Sequence, residues 1–94
     1  MHAVSRQYNG GVELARVVQE HRGEVEQLMK TVPGFISWVL AKSGDTYTTY
    51  TVCQDQAGCQ RSIELAREFV GKHASSIQPP QVTEFEIIER IVSS

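Results

Sequence analysis

The stretch that decides the fold is VPGFISWVLAKSGDTYTTYTVC, Val32 to Cys53. Pro33-Gly34 stops whatever precedes it, because proline cannot continue a helix and glycine accepts unusual backbone angles. Phe35 to Lys42 is rich in β-branched, aromatic and aliphatic side chains and reads as a strand. Its alternate faces carry Phe35, Ser37, Val39 and Ala41 on one side and Ile36, Trp38, Leu40 and Lys42 on the other. Both faces are mainly apolar, so the strand has to be covered on two sides. Ser43-Gly44-Asp45 supplies a turn, and Thr46 to Gln54, built of Thr, Tyr and Val, returns as a second strand.

Outward from the hairpin, Met1 to Tyr8 alternates as a short strand and Asn9-Gly10-Gly11 breaks it. From Val12 to Thr31 the period is helical: Leu14, Val18, His21, Val25, Leu28 and Val32 draw one apolar stripe. Gly23 lies inside, where a bend, a close approach or a division into two shorter helices is expected. After the hairpin, Asp55-Gln56-Ala57-Gly58 reads as a break, with Asp55 placed to cap the next helix. That second helix is expected over Gln60 to Ala74, with Ile63, Ala66, Phe69, Val70 and His73 on one face. Ser75 to Pro80 is a loop, and Gln81 to Val92 a last strand. The order is that of an α+β, ferredoxin-like βαββαβ sandwich, one domain over 1–94, with two helices on one face of an antiparallel sheet. Two helices cover one face only. The doubly apolar strand therefore implies a homodimer that meets through the other face.

Composition narrows the function. The 94 residues are 40% hydrophobic and 21% charged, with a net charge of -2. This suits an ordinary globular domain and gives no basic patch for nucleic acid. No apolar run reaches the roughly 20 residues that span a bilayer, and MHAVSRQY has no apolar segment of a signal peptide, so a cytoplasmic protein without membrane contact is expected. Cys53 and Cys59 do not form a CxxC pair and are expected to be reduced and structural. His2, His21 and His73 show no closed ligand spacing such as HExxH, so no metal is expected.

The helix running into VPGFISWVL, then TYTTYTVCQD and an amphipathic helix, resembles the dimeric α+β barrel superfamily. More narrowly, it is similar to small bacterial proteins that resemble the antibiotic-biosynthesis-monooxygenase domain. The most specific parts are the PGF motif (Pro33, Gly34, Phe35) and TVCQD (Thr51 to Asp55). The resemblance implies a ligand cavity enclosed between the sheets of two subunits. It also implies activities ranging from cofactor-free quinol or polyketide oxygenation to haem degradation. Haem-degrading members use an Asn on the first strand, a Trp on the third and a His on the second helix. Here Asn9 falls just beyond the first strand, Trp38 is on the second strand and His73 is near a helix end, so no cofactor is expected.

Four residues are candidates for the site. Trp38 is either the wall of a cavity that stacks on an aromatic ring or a packed residue of the dimer core. Tyr47 and Tyr50 lie on opposite faces of their strand, and Tyr50 is preferred for the ligand. Arg6 on the first strand is a further ligand-binding candidate. His73 at a helix C-terminus is either a general acid or base or a helix-end residue, and with Trp38 it makes up the catalytic candidates. Two functions are left open. One is a dimer that binds a small aromatic ligand and oxygenates it without a cofactor. The other is a non-catalytic structural or stress-related dimer.

Overall fold

The computed structural model of the chain describes residues 1–93. Its elements are β1 (His2–Asn9), α1 (Val12–Glu20), α2 (Arg22–Lys30), β2 (Phe35–Ser43), β3 (Thr46–Cys53), α3 (Gln56–His73) and β4 (Gln81–Glu86). The strands form one antiparallel sheet in the order β2-β3-β1-β4. This is the ferredoxin-like arrangement, with the helices on one face.

The hairpin turns over Gly44 and Asp45 alone, with Ser43 already paired to Thr46. Gly44 takes φ 59°, a left-handed value that glycine adopts without strain. Strand β2 departs from simple alternation at one point. The register slips between Phe35 and Ser37, so that Phe35 opposes Cys53 and Ser37 opposes Val52. This bulge turns Phe35 onto the helix-covered face with Trp38 and Leu40, not onto the face with Val39.

The long first helix divides into two at His21, whose φ of -113° and ψ of 30° leave the helical region. The break falls two residues before Gly23, and no close approach occurs at that glycine: a Cβ there would meet nothing within 4 Å. Helix α3 begins four residues earlier than its apolar pattern suggests. Asp55 caps it through Oδ1, which accepts a hydrogen bond from the Gly58 N–H at 3.1 Å. Its buried stripe is Gly58, Cys59, Ser62, Leu65 and Phe69. Ser62 belongs in that stripe because its hydroxyl donates to the Cys59 carbonyl at 2.7 Å and so buries no free polar group.

Strand β4 ends at Glu86, not Val92. It runs antiparallel to β1 with Glu86 opposite His2, and only the Ile87 N–H, donating to the Met1 carbonyl at 2.9 Å, extends the pairing. β1 itself starts at His2, the residue opposite the last residue of β4. Ile88 and Ile91 are left 85% and 90% exposed.

Candidate functional site

Residues opposite one another in the register share a face. On the helix-covered side these are Val4, Arg6 and Tyr8 of β1, Tyr47, Thr49, Thr51 and Cys53 of β3, and Trp38 and Leu40 of β2. The other side carries Ala3, Val39, Tyr50, Val52 and Phe85. Arg6 and Trp38 are therefore brought to the same interior, while Tyr50 lies on the opposite side of the sheet, 44% exposed. The cavities lined by Arg6 and Trp38 lie between sheet and helices, and not on the open face where the sequence reading placed them.

Arg6 is the unusual residue of this interior. It is 4% exposed, between Thr49 of β3 and Val82 of β4. Among the described residues its Nε and one Nη have no hydrogen-bond partner, and neither do Trp38 Nε1, Thr49 Oγ1 and Thr51 Oγ1. Burial pulls the guanidinium pKa below its ordinary value, an effect partly offset by the Tyr8 hydroxyl. Arginine nonetheless stays charged in proteins. The result is a buried cation with two N–H-bearing nitrogens that lack an acceptor among the described residues, an interaction that an anion or an accepting oxygen would supply.

A central void of about 30 Å³, room for little more than a water, is lined by Arg6, Tyr8, Trp38, Thr49 and Phe69 among others. It shares Trp38, Val25 and Met29 with a groove of about 580 Å³ that runs beneath α2 past Phe35 and Leu40. On its other side it shares Arg6, Tyr8 and Val70 with a groove of about 380 Å³ beside the 75–80 loop. The larger groove is of the size that holds small organic ligands. Its rim carries Arg22 and Lys30, paired with Glu26 at 3.9 and 3.1 Å.

His73 sits behind Phe69 and does not line these cavities; the ring centroids are 4.8 Å apart. It is the last residue of α3 and partly buried, so the helix-end reading holds for its position, and a carboxylate partner fixes its ring. Its side chain is 14% exposed, and Nε2 lies 3.1 Å from each oxygen of Glu24. That hydrogen bond holds the Glu24 carboxyl below its usual range. His21 stacks on His73 with centroids 4.0 Å apart. Asn9, read as lying past the first strand, is its last residue and pairs with Thr46.

The residues that sequence reasoning missed are Thr49, Thr51 and Glu24. A threonine strand carries no sign of which hydroxyls face inward. The His21-x-x-Glu24 spacing, which places both side chains on one helical side, was the available sign for Glu24.

Cys53 and Cys59 are both fully buried and free. Burial, with Cys59 adding to it, pushes the Cys53 thiol up to about 11, and burial raises Cys59 as well. The unfolded chain would release these protons near pH 8.5, roughly the ordinary value of a free thiol. The thiols' contribution to stability is thus full below that pH and is lost as pH rises through about 11. Native protein at pH 8 is expected to resist a disulfide exchange reagent, with both thiols reacting only in denaturant. Rapid labelling of either thiol in the native state would contradict this burial.

No family model matches the chain, and no curated protein matches it in sequence. Solved structures do match in shape. A protein of unknown function from Nitrosomonas europaea superposes with a TM-score of 0.73 at 16% identity, covering 99% of this chain and 94% of that one. A Streptomyces coelicolor monooxygenase, solved with nanaomycin D, gives 0.62 at 20% identity over 99% and 90% of the two chains. The haem degrader MhuD of Mycobacterium tuberculosis, solved with two haems, gives 0.68 at 13% over 98% and 100%. Others of similar score are antibiotic-biosynthesis monooxygenase-like proteins. The fold is theirs. At these identities the likeness to the antibiotic-biosynthesis monooxygenase-like proteins covers the fold alone, and their chemistry does not follow from it. No described helix is long and apolar enough to cross a membrane.

Proposed function

We propose that this protein binds a small aromatic molecule carrying an anionic or strongly accepting oxygen, in the space between its helices and its sheet. The observation that carries this reading is the buried Arg6 guanidinium, whose Nε and one Nη lack a partner among the described residues, opposite Thr49 and in a void that Trp38 also lines. The oxygen would lie in the central void against Arg6. The ring would lie in the larger groove against Trp38, Phe35, Leu40 and Met29. A quinol or polyketide phenolate has both parts. Shape neighbours solved with haem or with nanaomycin D are consistent with a planar aromatic ligand.

Catalysis is the further step of the same proposal. A deprotonated, electron-rich ring can reduce dioxygen directly in a dry site. Conversion of an activated CH₂ to C=O then places one oxygen atom in the ring and releases the other as water. All four electrons come from the substrate, so no cofactor is consumed. Arg6 would stabilise the ring anion as charge develops. The small volume of the central void favours the second reading, a non-catalytic dimer whose interior is filled by its own side chains. Oxygen uptake with hydroquinones and aromatic polyketides in air separates the two. The oxygenase reading predicts uptake that falls to background in Arg6→Met; no uptake with either protein favours the second.

Assembly belongs to the same proposal. Val39, Tyr50 and Phe85 leave an apolar patch on the open face of the sheet, and Ile88, Ile91 and Val92, past the end of β4, are exposed as well. A second copy of the chain is the cover this symmetric kind of surface suits. Native mass spectrometry is expected to give twice the chain mass, and Val39→Asp with Tyr50→Glu to give the folded monomer. A wild-type monomer would remove the dimer without touching the interior site. Two reduced, buried thiols fit a protein of a reducing compartment such as the cytoplasm.

A further inference from the structure

At the far side of Phe69 from the cavity, three potential metal ligands converge from two elements distant in sequence. His21 is the hinge residue between α1 and α2, Glu24 lies one turn further on, and His73 is the last residue of α3. Their ligand atoms all lie within 4.8 Å of one another. His73 Nε2 is 3.1 Å from Glu24 Oε1, and His21 Nδ1 is 3.9 Å from the same oxygen. We infer that His21, Glu24 and His73 form a binding site for a divalent first-row cation of the Zn²⁺ type.

The donor set supports that class of ion. Two imidazoles and one carboxylate suit Zn²⁺ and its neighbours, whereas Mg²⁺ and Ca²⁺ call for oxygen ligands throughout. A tetrahedral ion with bonds of about 2.0 Å holds its ligand atoms about 3.3 Å apart. The 3.1 Å pair already meets this, and the 3.9 Å pair needs a small side-chain rotation. The two imidazoles are stacked, with centroids 4.0 Å apart and planes 30° from parallel, so the pair has to open for a nitrogen of each ring to turn toward one ion. The His21-x-x-Glu24 spacing places two ligands on one helical side, and the fold brings His73 to them from 49 residues away.

One neighbour opposes the ion. Lys72 Nζ stands 3.7 Å from Glu24 Oε2. Its side chain is 69% exposed and free to swing into solvent when a cation takes its place. Binding would also replace the hydrogen bond between His73 and Glu24. Three protein ligands leave the fourth position of a tetrahedral ion to water. The site therefore stands apart from the ligand cavity and does not depend on the proposed function.

The test is calorimetric titration of ZnCl₂ into protein stripped with a chelator. One ion per chain is expected, with affinity reduced at least ten-fold in His73→Gln and in Glu24→Gln and unchanged in His2→Gln. Loading wild type with Co²⁺ should give visible ligand-field bands without a thiolate charge-transfer band. The Co²⁺ spectrum needs no variant, so it stands even if a substitution disturbs the fold. No saturable binding, equal affinity in His73→Gln, or a thiolate band from Cys53 or Cys59 would overturn the proposal.

Discussion

Gly58→Ala is expected to cost about 3 kcal/mol, the upper part of the range for overpacking a close-packed contact. A Cβ there would lie 2.4 Å from the Pro33 carbonyl oxygen and 2.9 Å from Cys53 Cβ. The carbonyl is backbone and Cys53 is fully buried, so neither can yield without moving a strand or the α2–β2 connection. Domains are stable by only about 5–15 kcal/mol in all. The unfolding temperature of the variant should therefore fall by on the order of 10 °C or more. Gly23→Ala is the matched control. It adds a methyl group in open space on α2, where Ala is the better helix former by about 1 kcal/mol. It should raise the unfolding temperature. Equal, small effects of both changes would mean that the first turn of α3 does not press on the Pro33 carbonyl.

Arg6→Met is expected to do two opposite things. The empty protein should become more stable by roughly 1–4 kcal/mol, the gain seen when buried ionic groups give way to apolar side chains of similar shape. Met keeps most of the stem packing that the guanidinium sits on and removes a charge that 4% exposure keeps from water. Binding of an anionic aromatic ligand should weaken by about 2–5 kcal/mol, the usual cost of removing one partner of a buried charged contact. Stability up and affinity down is the signature of a residue retained for function. A variant that loses stability would instead make Arg6 a structural residue.

Several of these features were legible in the residues themselves. Pro33-Gly34, Gly44 and the Thr/Tyr/Val run marked the hairpin because turn chemistry and β propensity are local properties. Asp55 was recognisable as a cap for the same reason. Other features depend on contacts between distant segments. Gly58 reads as a breaker in isolation, yet it lies inside α3, and its lack of a side chain answers to Pro33. The bulge after Phe35 adds one residue to a strand that is apolar on both faces, so alternation carries no trace of it. The end of β4 is set by where β1 begins, not by its own composition. Arg6 and Trp38 were found as candidates from residue type. That they share an interior, and that Tyr50 does not, depends on register. The His21, Glu24 and His73 cluster needed the third dimension altogether.

On the proposed function, the buried Arg6, with Nε and one Nη unpaired among the described residues, would hold the accepting oxygen of an aromatic ligand. Trp38 is the only tryptophan, and it lines both the central void and the larger groove, so its fluorescence reports on that space directly. The most direct measurement is a titration of a hydroxylated naphthoquinone into wild type and Arg6→Met, monitored by Trp38 emission. Saturable quenching in wild type, shifted at least ten-fold to higher concentration in Arg6→Met, is the predicted result. Quenching that is identical in the two proteins, or absent from wild type, would contradict it.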